Sequence, residues 1–280
     1  MAPIDDVGEA EPLLDAAADI FVDISDGADR REAATADERH SDRRGHILNT
    51  ASDIAKRCPW GLIASTSTFE ADVASSELTC AYSPGGSMLT FGRVDGRVWT
   101  VDLEAGTILH DHALEGKLRA CAYAPYVKLV SFGGEDRKVT TVSTATWEVV
   151  NETPVGGVLY TFAYSPDGKQ LSFGGSNSKI TTLSTDSWTI ANSRDLDGFP
   201  LTCAYAPNGE QLVVGGGDKK VTVIATATWD VVKEIELGWW LYRCFYTPIG
   251  DLLILQGEDR KTLVVHTSNW EVAHELRLDE

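Results

Sequence analysis

Apolar and polar positions alternate with a period of two over Leu159–Tyr164. Leu159, Thr161 and Ala163 fall on one side and Tyr160, Phe162 and Tyr164 on the other, the pattern of a strand buried on both faces. Ser165-Pro166-Asp167-Gly168 comes next. Proline presets φ at the second turn position, aspartate bonds its own backbone and glycine accepts a left-handed conformation, so a tight turn is predicted. A second apolar run, Gln170–Gly174, ends at Gly175, and a polar turn over Ser176–Lys179 leads to a third run, Ile180–Ser184. A last and more polar run is predicted from Trp188 onward, as befits an outermost strand.

This unit recurs. Tyr164 returns as Tyr82, Tyr123, Tyr205 and Tyr246, and Pro166 as Pro84, Pro125, Pro207 and Pro248. Trp188 returns as Trp147, Trp229 and Trp270, with Gly106 in the first copy. Every step is 41 residues, with no insertion. Self-similarity at such a period marks a repeat architecture, and four short strands per repeat make one blade of a β-propeller. The predicted fold is all-β, a propeller of about five 41-residue four-stranded blades, with a partial sixth left open.

The segments AYSPDGKQLSFGGSNSKITTLST and AYAPNGEQLVVGGGDKKVTVIAT follow the pattern AFSPDG…GGxDxxVxV…T. The unit resembles a WD repeat over Leu78–Glu280, which divides into blades at 78–117, 118–158, 159–199, 200–240 and 241–280. No copy has the family's Gly-His pair before its first strand. The Trp-Asp pair closing the third strand is replaced by Val142-Ser143, Leu183-Ser184 and Ile224-Ala225, and only Val101-Asp102 keeps the aspartate. Asp95, Asp136, Asp218 and Asp259, with Asn177 in the third copy, match the family's turn aspartate. Lacking its usual partners, this residue is expected to serve its own turn.

Residues 1–58 differ in composition, with acidic side chains outnumbering basic ones. They read as a largely disordered tail. A short amphipathic helix is predicted at 12–25, where Leu13, Ala17, Ile20 and Ile24 share a face. Residues 59–77 echo a blade faintly: Thr66-Ser67-Thr68-Phe69-Glu70 resembles Thr144-Ala145-Thr146-Trp147-Glu148, so they read as a degenerate half-blade. Three closures follow: a five-bladed ring, a ring with a partial sixth blade, or an open part of a longer array. A closed ring predicts a monomer, and an open one allows a dimer.

Net charge is −18, which argues against nucleic acid and anionic membrane as partners. The acidic start lacks the basic stretch of a secretory signal, and the cytoplasm or nucleus is expected. Cys80, Cys121, Cys203 and Cys244 hold one repeat register, where the third copy has Phe162, so they read as small core hydrophobes and not as metal ligands. Among the histidines only His110-x-His112 has a spacing compatible with a metal, and solvated edge residues are the expectation. No nucleophile, phosphate-loop or cofactor motif is present, and the inner runs are poor in ionisable groups. The chain reads as a non-enzyme with no cofactor and no metal.

The polar signal lies in the second turn of each repeat: Arg97, then Arg137 and Lys138, Lys179, Lys219 and Lys220, and Arg260 and Lys261. The resemblance to WD repeats implies that this turn lies on the face most used for binding. The turn cations are then either ordinary residues offset by nearby acids or a basic rim for an acidic or phosphorylated peptide. Trp239-Trp240 is the second candidate, either as an exposed anchor or as cover for a seam. The expected function is a non-catalytic protein-interaction scaffold. The rivals are a regulatory array needing fusion or dimerisation and, more remotely, a channel-centred enzyme.

Overall fold

The computed structural model describes residues 79–92, 96–113, 115–126, 128–258 and 261–277. The tail helix at 12–25, the half-blade at 59–77, Arg260, and the turn aspartates Asp95 and Asp259 lie outside them. Five four-stranded antiparallel sheets follow one another along the chain, each with its strands in sequence order. The first holds β1 (Thr79–Tyr82), β2 (Met88–Gly92), β3 (Arg97–Asp102) and β4 (Thr107–Ala113). The second holds β5 (Leu118–Tyr123), β6 (Leu129–Gly134), β7 (Lys138–Ser143) and β8 (Val149–Pro154). The third is β9 (Leu159–Tyr164), β10 (Gln170–Gly175), β11 (Lys179–Ser184) and β12 (Ile190–Asp195). The fourth is β13 (Pro200–Tyr205), β14 (Gln211–Gly216), β15 (Lys220–Ala225) and β16 (Val231–Glu236). The fifth is β17 (Leu241–Tyr246), β18 (Leu252–Gly257), β19 (Lys261–His266) and β20 (Val272–Arg277).

The first strands pack side by side in the order β1, β5, β9, β13, β17, so successive sheets are blades meeting along their inner edges. Among the described residues β1 and β17 share no packing of that extent. Arg243 on β17 does act electrostatically on Cys80 of β1, opposing part of the rise that burial imposes on its thiol.

Each seam has its own apolar core. Val98 of the first blade packs with Leu118, Val130 and Phe132 of the second, and Ala120 and Val139 pack with Leu159, Phe162 and Leu171. Ile180 packs with Cys203, Leu212 and Ile224, and Val213 and Val223 pack with Leu241, Leu253 and Leu255. Buried hydroxyls cross the same seams. Tyr164 Oη bonds Ser131 Oγ at 2.6 Å, and Ser131 bonds Thr141 at 2.7 Å. Tyr205 bonds Ser172 at 2.7 Å, and Ser172 bonds Thr182 at 2.6 Å. Tyr123, Thr90 and Thr100 repeat the arrangement one seam earlier. Such groups are buried at little net cost because they satisfy one another. At the last seam Val213 and Val223 hold the serine and threonine positions, and the buried Tyr246 hydroxyl has no partner.

The fourth strand begins later than the pattern predicts. Trp188 precedes β12 and occupies the turn with φ 54°, as do Trp147 (60°), Trp229 (63°) and Trp270 (61°), while Gly106 takes the same position at 64°. A left-handed conformation disfavours a side chain. Tryptophan is held there by its contacts. Trp147 stacks on His110 of the preceding blade, with centroids 4.6 Å apart and planes 9° from parallel. The Trp229 carbonyl accepts a bond from Arg194 of the preceding blade at 3.3 Å. His110 is thus a seam residue, and not the solvated edge residue expected: its Nε2 is buried without a partner, and burial lowers its pKa first, His112 second.

A candidate partner-binding face

Antiparallel order places the turn between second and third strands at the same end of each blade as the connector to the next blade. Hydrogen bonds tie the two together. Ser176 N–H donates to the Val158 carbonyl at 2.9 Å and Leu196 N–H to the Ser178 carbonyl at 2.8 Å. Gly217 N–H donates to Phe199 and Leu237 N–H to Lys219 in the next blade. The connector carbonyl lies so close to the sheet that a side chain on Gly175 would overlap the oxygen of Val158. This end is the connector face. It carries every cation singled out in the sequence that the structure describes.

Most of those cations are ion-paired. Arg97 meets Asp111 at 3.1 Å and lies over the Trp99 ring at 5.6 Å. Lys138 meets Glu115 at 3.6 Å, Lys179 meets Asp195 at 2.9 Å, and Lys220 meets both Asp197 and Glu236 at 3.4 Å. In the lysine pairs the carboxylate is the more exposed member: 25% of the Lys220 side chain is accessible against 78% of Asp197, and 35% of Lys138 against 88% of Glu115. Hydrogen bonds that Lys220 donates to Glu236, then to Asp197, raise its pKa. Arg137 and Lys219 are exposed at φ 57° and 62°. Lys261 starts β19 opposite Arg277, where Lys179 and Lys220 face Asp195 and Glu236. On the third and fourth blades the carboxylate is therefore the outer member of each ion pair, with Lys219 exposed beside them, and two cations adjoin on the fifth.

The turn residues matching the family aspartate do serve their own turns. Lys138, Lys179 and Lys220 N–H groups donate to Asp136, Asn177 and Asp218 at 3.4, 3.3 and 3.3 Å. Burial pushes the Asp136 and Asp218 carboxyls up. Glu135 is instead lowered, first by its hydrogen bond from Arg119 at 2.7 Å.

Trp239 and Trp240 divide. Trp239 is 7% exposed, packed with Leu241, Cys244 and Leu255. Trp240 is 39% exposed and meets Phe199 edge to face, centroids 5.8 Å apart and planes at 85°. Phe199 in turn meets Tyr160 at 6.3 Å and 72°. Tyr160 on β9, Phe199 in the connector before β13 and Trp240 in the connector before β17 thus form one row of rings, which the sequence reading missed apart from Trp240. Phe199 and Trp240 share a repeat register with Lys117 and Val158, and that substitution pattern was the available signal.

Cys203 and Cys244 are buried, with thiols pushed up to about 12 by burial, and each N–H donates to a threonine of the preceding inner strand, Thr161 or Thr202, at 3.0 Å. Cys121 is likewise pushed up to about 12. Cys80 departs in part from the core expectation: the residue is exposed on β1, although protein around its thiol still raises the thiol's pKa. Among the described residues no three His, Cys, Asp or Glu side chains gather as a metal site, and no helix is long and apolar enough to cross a membrane.

These blades and seams define a β-propeller. No family model and no curated protein matches the chain. Among solved structures, a chain in the crystal structure of mitotic checkpoint complex aligns with a TM-score of 0.66 at 18% identity. The alignment covers 70% of this chain and 63% of that one, so the chain spans less than two thirds of the neighbour's length. The resemblance to WD-repeat propellers holds at the level of fold. In all, 1810 solved chains match, a breadth that ties the likeness to architecture and to no single activity.

Proposed function

We propose that the chain is a non-catalytic propeller that binds protein partners through its connector face. The observation that carries this reading is Trp240, a large aromatic side chain left 39% exposed on that face and continuous with Phe199 and Tyr160. Exposed aromatics of this kind are the commonest anchors of protein interfaces. An acidic or phosphorylated peptide draws little support from Lys138, Lys179 and Lys220, whose charges are already answered by carboxylates. The test is affinity capture with the intact chain beside a Trp240→Ala variant and a variant with Lys138, Lys179, Lys220 and Lys261 changed to Glu. A protein retained by the intact chain and lost by Trp240→Ala supports the reading. Loss with the lysine variant alone would move the contact to the cations, and retention by all three would overturn the assignment to this face.

The exposure of Cys80 on β1 and of Tyr242 and Arg243 on β17 favours a second reading, in which a second copy covers the end blades. Light scattering behind size exclusion distinguishes the two: a monomer at micromolar concentration removes the second.

A further inference from the structure

We infer that the row Tyr160–Phe199–Trp240 is a docking strip for a cationic peptide segment, whose lysine or arginine side chains lie against the Phe199 and Trp240 rings. This rests on the reading of the connector face as the partner-binding face and names the chemistry of the partner.

Three observations converge. The first is that the row is seated in place. A side chain on Gly217 would come within 2.7 Å of Phe199 Cζ, so the ring lies directly on the backbone of that glycine. The same repeat position holds Val94, Glu135, Ser176 and Glu258 in the other blades. Glycine stands at this position only in the fourth blade, where the Phe199 ring takes the room. The Trp240 backbone is fixed from the other side, its N–H donating to Glu258 Oε2 at 3.4 Å.

The second is the geometry of the rings. Phe199 and Trp240 stand at 85°, so the pair forms a corner in which a cation can meet a face of each ring. The π face of an aromatic ring is negative, and a guanidinium or ammonium placed over it is attracted, most strongly by tryptophan. Tyr160 extends the row by one blade, giving a strip that an extended peptide can follow.

The third is charge. Every ring of the corner has a carboxylate close by in the chain or through a hydrogen bond. Asp197 lies two residues before Phe199, Asp218 follows the glycine beneath its ring, and Glu258 accepts the Trp240 N–H. Asp197 and Asp195 are the exposed members of their ion pairs, at 78% and 81%. The chain as a whole carries −18. The carboxylates beside the two rings favour a cationic ligand at the corner over an acidic one. Lys219 is the exposed cation of the fourth-blade turn, so the bound cation is expected on the Asp197 and Glu258 sides of the corner.

The experiment is selection of phage-displayed random 12-residue peptides on the immobilised full-length chain, followed by fluorescence anisotropy of the winning synthetic peptides. Expected is enrichment of lysine or arginine. Affinity should then fall about fivefold or more with Phe199→Ala or Trp240→Ala, and also when the peptide's arginines become citrulline. Trp240→Phe should retain most of it. Ile249→Ala, on the opposite face, should leave it unchanged. Thermal unfolding of each variant separates lost binding from lost folding. Peptides without cationic bias that still depend on Trp240 overturn this inference and leave the connector face standing. Peptides insensitive to both aromatic variants overturn the inference and the face together. No enrichment of any peptide overturns both.

Discussion

Tyr205 and Tyr246 occupy one register on neighbouring blades, yet only Tyr205 has a partner for its buried hydroxyl. Its Oη shares a 2.7 Å bond with Ser172 Oγ and donates to Gln170 Oε1 at 3.3 Å, while Val213 stands where the serine would be for Tyr246. Removing a hydrogen-bonded group costs about 1 kcal/mol, and removing an orphaned one relieves a penalty of similar size. Tyr205→Phe should therefore destabilise by about 1 kcal/mol and Tyr246→Phe should be neutral or stabilising by up to about 1 kcal/mol. Urea unfolding reads both, and equal losses would contradict the account of the seam.

Gly175 and Gly85 make opposite predictions. A methyl group on Gly175 would overlap the Val158 carbonyl, whereas nothing lies within 4 Å of one on Gly85. Gly175→Ala should cost about 3 kcal/mol or more and Gly85→Ala should stay within about 0.5 kcal/mol. Differential scanning fluorimetry gives the comparison, and a tolerated Gly175→Ala would mean the connector is not held as described.

Thiol reactivity should follow burial. Cys121, Cys203 and Cys244 are pushed up to about 12, leaving almost no thiolate at pH 8; the Cys80 thiol is raised as well, but Cys80 is the one of the four that is exposed to reagent. Mass spectrometry after iodoacetamide under native conditions should find Cys80 modified well before those three. In urea all should react alike.

The His110–Trp147 stack predicts an acid-side weakness. Burial and His112 depress the His110 pKa below its ordinary 6.5, with Asp111 pulling it back and Arg97 paired to Asp111. The unfolded chain then takes up this proton first as pH falls. The stabilising contribution is complete above about 6.5 and declines as pH drops through 6.5 toward the lower folded value. His110→Phe keeps a flat ring on Trp147 and removes the titration, so its stability should vary less between pH 7 and 5 than that of the parent chain.

Much of this architecture was legible because the repeat is regular. The step from Tyr164 to Tyr205 fixed the blade, and the Ser-Pro-Asp-Gly turn fixed where its first two strands part. Other features were hidden for physical reasons. Ser172 and Thr182 look like ordinary polar positions until a tyrosine from the next blade reaches them. The lysine partners fall at two spacings that only the folded blade joins: Lys179–Asp195 and Lys220–Glu236 pair within a blade, and Lys138–Glu115 and Lys220–Asp197 pair back to the connector. Trp239 and Trp240 separate because successive residues entering a strand project to opposite sides, so adjacency in the chain placed one in the core and the other at the surface.

The cross-seam hydroxyl bonds join residues 33 positions apart and the threonine–cysteine pairs join residues 42 apart. Such links are defined by spacing, so a blade inserted or removed whole would bring matching halves to both of its neighbours. In-frame duplication of 159–199 would create a new junction already equipped with its tyrosine, its serine and its tryptophan. A chain built this way can change length by unequal recombination without inventing a new interface. Among the described residues, the valines at the fourth blade mark the junction where that rule does not hold.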